Sequence, residues 1–302
     1  MNLTSLLKLK MEKSMSVFFC DSNSELWYTR VKELGLKVIE MPYNIDGEEK
    51  NYDLGEKTDF NDFYLRLKKG SIAKTSALNV QNYIDYFEPV LASGEDVLYV
   101  HFSFKMSGTF EYMNQAIEIL KETYPKNSVK CVDTLNISIG ESMIVYAAAK
   151  MWKDGISDEE IINFVLENRE KYATYFFVDD LGYLKRGGRL STTSFVVASM
   201  LNIKPILKIN SNGEIVKHGI TKGRKKGLNQ LITLIKEIGD DIEKHPICIN
   251  YAYAEEDALQ FKKILEENFD KKLDIWIQPV GPTIGTHCGP GTIGIAFHAK
   301  HR

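Results

Sequence analysis

A chain of 302 residues, 44% of them hydrophobic, is long enough for two domains of ordinary size with substantial cores. Its 38 Lys and Arg nearly balance 41 Asp and Glu, leaving a formal net charge of −3, so no field of either sign points to nucleic acid or an anionic membrane surface as the main partner. Cys20, Cys131, Cys248 and Cys288 are dispersed with no C-x-x-C pair, which argues against a disulfide framework or zinc ribbon and fits a reducing cytoplasm.

Residues 1–15, MNLTSLLKLKMEKSM, alternate Leu with Lys too quickly for a secretion signal and read as an extension. No apolar run approaches the ~20 residues of a membrane span, so stable membrane insertion is not expected. SVFFCD (16–21) is a short apolar run that empties into Asp21-Ser22, the pattern of a buried strand, and DVLYVHFS (96–103) and SVKCVD (128–133) repeat it. Between the last two, TFEYMNQAIEILKETY places Phe110, Met113, Ile117 and Leu120 at helical spacing, and ESMIVYAAAKMWKDG reads as a second helix stopped by Gly155. Alternating strands and helices predict a parallel sheet that takes its ligand at the strands' carboxyl ends.

Ser157-Asp-Glu-Glu160 is a capping box that opens a third helix. Beyond it ATYFFVDDL reads as a strand, STTSFVVASML (191–201) as a short apolar helix, and Asn212-Gly213 as the turn of a hairpin. Helices are expected near 226–238 and 254–268, strands near 246–252 and 273–279. The expected fold class is thus α/β in two domains: an N-terminal parallel α/β domain over 16–170 and a C-terminal mixed domain with a partly antiparallel sheet over 171–302.

Four stretches carry candidate chemistry. In Ser107-Gly108-Thr109 a strand ends and an amphipathic helix begins, so the hydroxyls and unpaired amides form an anion cradle or simply cap the helix. Thr75-Ser76 precedes another helical pattern with Asn79 as its N-cap; two such turns at the edge of one sheet would converge on one crevice. Lys185-Arg186-Gly187-Gly188-Arg189 is a flexible cationic turn suited to an anion or to solvent, and TKGRKKG around Arg224 reads the same way.

The fourth stretch, GTHCGPGTIG (285–294), has the Gly-x-Gly-x-x-Gly spacing of a dinucleotide turn. The following IAFHAKHR looks like a strand, and neither helix nor distal acid follows, so the dinucleotide reading fails and no cofactor is expected. His287, Cys288, His298 and His301 match no metal-site spacing. On a strand, His287 and Cys288 would point to opposite faces and form no dyad.

Taken together, Asp21-Ser22, TSALN (75–79), FSFKMSGTFEYMNQA (102–116), VDTLNISIGES (132–142), VDDLGYLKRGGRLS (178–191), IKPIL (203–207) and GTHCGPGTIGIAF (285–297) resemble the DegV family, in that family's order and from about residue 16 onward. The resemblance implies a two-domain DegV-like fold that binds a long-chain fatty acid between its domains and presents the carboxylate to a fatty-acid kinase, which makes an acyl phosphate. It implies carboxylate contacts from Thr75, Ser107 and His287, with Ser76, Gly108 and Thr109 in the same turns and Arg189 in support, and a kinase-facing region around Arg224. Ala77-Leu78 and Phe104-Lys105 depart from the smaller or proline-containing family pattern, a difference that bears on acyl-chain preference.

The residues suit that ligand class. Each buried methylene is worth ~0.8 kcal/mol, so a long acyl chain dominates affinity. A carboxylate taken out of water needs hydrogen-bonding partners to keep that gain. The alternative is an enzyme, a hydrolase or phosphotransferase, acting on a small carboxylated or phosphorylated substrate with Ser107 as nucleophile or the Ser-Gly-Thr turn as phosphate site. His101 is the nearby candidate base in the sequence, but it lies in the expected strand and reads first as a packed strand residue.

Overall fold

Val17–Asp21 (β1) and Val97–His101 (β6) form the centre of a parallel sheet, flanked by Lys37–Ile39 (β2) and Val129–Asp133 (β7) in the order β2-β1-β6-β7. Their near-continuous apolar composition follows from position: all five residues of β6 are buried, as expected of a strand covered on both faces. The computed structural model describes residues 16–190, 203–270 and 272–302. The extension expected over 1–15 and the short helix expected over 191–201 lie outside the described residues.

The first half also holds elements that the sequence patterns did not reveal. Tyr28–Leu34 (α1) and Phe60–Lys68 (α2) are helices, and Pro42–Ile45 (β3), Glu48–Asn51 (β4) and Ala73–Thr75 (β5) make a separate antiparallel sheet ordered β4-β3-β5. Thr75 therefore ends a strand of this small sheet and does not lie on the edge of the parallel sheet, as the two-turn reading required. Val80–Ala92 (α3) follows with Asn79 as N-cap in a reciprocal box with Asn82, and Thr109–Thr123 (α4) follows β6.

Ile139–Lys153 (α5) packs against both β6 of the parallel sheet and β8, β11 and β13 of a second sheet. That explains a sequence apolar nearly all round, with Met143, Ile144, Val145, Ala148 and Ala149 buried. At Gly140 the helix comes so close to the second sheet that a Cβ would lie 1.9 Å from Thr174 Oγ1. Asp158–Asn168 (α6) is capped by the Ser157/Glu160 box as the sequence indicates.

The second sheet contains Tyr172–Phe177 (β8), Ile203–Ile209 (β9), Ile215–Lys222 (β10), Ile247–Tyr251 (β11), Ile275–Pro279 (β12) and Ile293–His298 (β13) in the order β10-β9-β8-β13-β11-β12. Only β11 and β12 pair in parallel; the other neighbours are antiparallel, giving the mixed sheet expected. The β9–β10 hairpin turns at Asn210–Glu214, where Gly213 has φ +76 and its carbonyl accepts Ser103 Oγ at 2.9 Å. Arg224–Ile238 (α8) and Glu255–Glu267 (α9) cover this sheet. Two short helices, Gly182–Arg186 (α7) and Pro282–Cys288 (α10), pack on each other at the junction of the sheets.

Candidate functional site

The parallel sheet changes winding direction between β1 and β6, and crevices form beyond the carboxyl ends of strands at such a point. Asn23 follows β1, and Phe102, Met106 and Ser107 follow β6; all four line a cavity whose opposite wall comes from the second sheet and α10. It holds about 940 Å3 of empty space, including its mouth. One side is apolar, built by Ile137, Ile139, Phe176, Leu184, Ile209 and Ile215.

A polar pole gathers most of the sequence-selected residues. Thr75, Ser76, Ser107, Thr109, Arg189 and His287 all line the cavity. Thr75 Oγ1 and His287 Nε2 are 2.9 Å apart, a contact between residues 212 positions apart in the chain. Ser107 Oγ accepts the Thr109 amide at 3.2 Å, which leaves the Ser107 O–H able to donate elsewhere. Ser107 thus accepts one amide of the first helical turn and keeps a hydroxyl hydrogen to donate.

Thr109 is less available. Its Oγ1 donates to the Leu78 carbonyl at 3.3 Å and lies 3.0 Å from the Tyr83 hydroxyl, so it braces α4 against α3. Gly108 is the N-cap of α4 and has open space where a Cβ would be.

The cationic turn is more ordered than its glycines suggest. Lys185 and Arg186 belong to α7, and Arg186 stacks over the Tyr183 ring with its guanidinium carbon 4.5 Å from the ring centroid. Arg189 is half-buried; its Nε donates to the Met106 carbonyl at 3.0 Å and its Nη1 to the Gly187 carbonyl at 2.5 Å, so it ties the Ser107 turn to the Gly187 turn. Burial draws its pKa down from the ordinary guanidinium value.

His287 is not on a strand. It occupies the last turn of α10, where it and Cys288 point about 100° apart, so the two still form no dyad. Desolvation, with the Arg189 charge added, lowers the imidazole pKa to about 4 and keeps it neutral near pH 7. Its Nδ1 is buried without a hydrogen-bond partner. With the proton on Nε2, His287 donates to Thr75 Oγ1 and frees the threonine hydrogen for an anion, a polarised two-step donor. Burial pushes the Cys288 thiol up to about 12.

Sequence reading missed Gly187, whose added Cβ would meet His287 Nδ1 at 2.1 Å; the Gly187-Gly188 pair was the available signal. It also missed Thr283, a buried hydroxyl one helical turn before His287 that lines the cavity. Arg224 lies elsewhere: its Nε donates to Asp257 at 2.6 Å, and its Nη1 donates to Asp179 and to the Gly291 carbonyl, each at 2.7 Å. The exposed cations of that patch are Lys222, Lys225 and Lys226. His101 is buried, with Nδ1 2.8 Å from the Phe102 carbonyl and its ring between Tyr99 and Phe110. Among the described residues no His, Cys, Asp and Glu cluster could hold a metal, and no helix is long and apolar enough to cross a membrane.

Two sheets flanking a cavity lined by both apolar side chains and hydrogen-bond donors define an α/β protein with an amphipathic cavity. The DegV family model matches residues 17–300, and the chain belongs to that family. A DegV domain-containing protein of Clostridium perfringens is 36% identical over 281 residues, covering 93% of this chain and 96% of the relative. A fatty-acid-binding DegV family protein of Streptococcus agalactiae superposes with a TM-score of 0.81 at 25% identity, covering 95% of this chain and 100% of that one. A stearic-acid-binding protein of Eubacterium ventriosum gives a TM-score of 0.84 at 23% identity, covering 95% and 99%.

Proposed function

We propose that the chain is a fatty-acid carrier that holds a long acyl chain along the apolar wall and its carboxylate at Thr75, Ser107 and His287, with Arg189 adding positive charge. The observation that carries this reading is one cavity in which an apolar wall meets a pole of hydroxyls, imidazole and guanidinium. The ligands described for the Streptococcus and Eubacterium relatives support it.

On this reading residues 16–170 and 171–302 are the two domains that enclose the lipid, and the protein works in the cytoplasm without catalysing a reaction itself. Its carboxylate is presented to a fatty-acid kinase, and the exposed cations beside Arg224 face that partner. The alternative, a Ser107 nucleophile, loses support because its candidate base His101 is packed between Tyr99 and Phe110 and is not among the residues that line the cavity with Ser107.

The test is mass spectrometry of lipid extracted from the purified protein, followed by titration of the delipidated chain with palmitate and by a coupled assay with a fatty-acid kinase. A C16–C18 acid in the extract, saturable palmitate binding and carrier-dependent acyl phosphate are expected. Failure to bind any fatty acid overturns the reading, and turnover of a carboxylate or phosphate ester without a second protein replaces it with the enzyme.

A further inference from the structure

Glu25 occupies the turn after β1 at φ +53, a left-handed conformation unusual for a residue with a side chain, and it is fully buried. One carboxylate oxygen accepts the Gly281 amide at 2.5 Å. The other accepts Asn250 Nδ2 at 3.1 Å and the Ser138 hydroxyl. Its backbone carbonyl accepts the side-chain amide of Gln278. Ser138, itself at φ +57, also accepts Asn250 Nδ2 at 2.9 Å and donates its amide to the Asn23 carbonyl at 2.9 Å. A single carboxylate therefore joins the turn after β1, the start of α5, strand β11 and the residue that begins α10.

Such a group is costly for stability alone. Its partners are all neutral, and burial pushes its pKa up to about 7. An apolar side chain would avoid that cost but leave the Gly281 amide unpaired and take an acceptor from Ser138 and Asn250, so the carboxylate holds these segments in place. A Cβ at Gly281 would lie 2.2 Å from the Tyr52 ring, so the α10 N-cap has no side chain of its own and its amide is held by the Glu25 carboxylate. From Gly281 a run of backbone bonds, Gly285 to Gly281 at 2.7 Å and Gly289 to Gly285 at 2.8 Å, carries its position through the helix to His287.

We propose that Glu25 is a positioning residue for the ligand head group: through Gly281 it sets where α10 begins, and so where His287 meets Thr75. This rests on the fatty-acid reading above.

Glu25→Ala and Glu25→Gln are compared with wild type in the full chain, using palmitate and hexadecanol as paired ligands and the His287 imidazole signals in NMR as a direct readout. Glu25→Ala is expected to weaken palmitate about 10-fold or more, as for lost hydrogen bonds to a charged group, with a change under about 3-fold for hexadecanol. Glu25→Gln falls between, because its amide oxygen still accepts the Gly281 amide. The His287 signals shift in both variants while those of His101 stay in place. Equal weakening of both ligands, or unmoved His287 signals, overturns the proposal. Where Glu25→Ala does not fold, Glu25→Gln decides by the same readouts. A wild type that binds neither lipid refutes the carrier reading, and the His287 signals then judge Glu25 on their own.

Discussion

Gly187 closes against His287 so tightly that a methyl group on its Cα would lie 2.1 Å from Nδ1 of the imidazole. The hydrogen of glycine lets the turn after α7 seat the histidine against Thr75. Gly187 has φ −73 and ψ −9, values that alanine adopts without strain, so the effect of adding a methyl is purely one of contact.

Gly187→Ala is therefore expected to fold normally and to displace His287. Palmitate affinity should fall about 10-fold, the equivalent of ~1.4 kcal/mol, while the far-ultraviolet circular dichroism spectrum stays unchanged. Wild-type affinity in this variant would remove His287 from the head-group pole.

Thr75 and His287 touch directly at 2.9 Å, so their contributions to binding should not add. A double-mutant cycle with Thr75→Val and His287→Gln, read by palmitate titration, is expected to give a coupling energy of ~0.5–3 kcal/mol. Additive losses would mean that the two residues act on the ligand separately.

Acidity acts on the fold in two opposed ways. Burial raises the Glu25 carboxyl to about 7, so its stabilisation is full below the unfolded value and is lost as pH rises from about 4.5 through 7. Burial and the Arg189 charge lower His287 to about 4, so its stabilisation is present above about 6.5 and is lost as pH falls through 4. Thermal unfolding midpoints measured from pH 8 to pH 4 should show wild type gaining on Glu25→Gln as pH drops from 8 to 5. Wild type should lose ground to His287→Gln between pH 7 and pH 4. Parallel curves for either pair would contradict the corresponding shift.

Cys20, Cys248 and Cys288 are buried, Cys131 is partly so, and burial raises the pKa of all four thiols. Iodoacetamide at pH 8 should leave them unlabelled in the native protein over minutes and label them on unfolding in guanidinium. Rapid native labelling of Cys288 would reopen a nucleophilic role for it.

The parallel sheet was legible because its buried strands are unbroken apolar runs, and the later hairpin because Asn212-Gly213 marks its turn. The stretch over 28–75 was not, because its strands are three or four residues long and β4, Glu-Glu-Lys-Asn, is wholly exposed. Residues of the polar pole were legible as types, hydroxyls beside a glycine and a histidine in a glycine frame. Their meeting was not: Thr75 reaches His287 from a small antiparallel sheet that no periodicity announced. Glu25 gave no signal at all, since its partners Ser138, Asn250 and Gly281 lie 113, 225 and 256 residues further along the chain.

Strand β13 lies between β8 and β11, although it follows both of them, and β12 too, along the chain. While the polypeptide emerges from the ribosome, β8–β9–β10 and β11–β12 can assemble only as two separate ribbons with a gap between them. The helix that carries His287 immediately precedes the strand that fills the gap. Closing the seam of the sheet and completing the polar pole are consequently one event in the life of the chain, and a nascent protein has no finished cavity until that event has taken place.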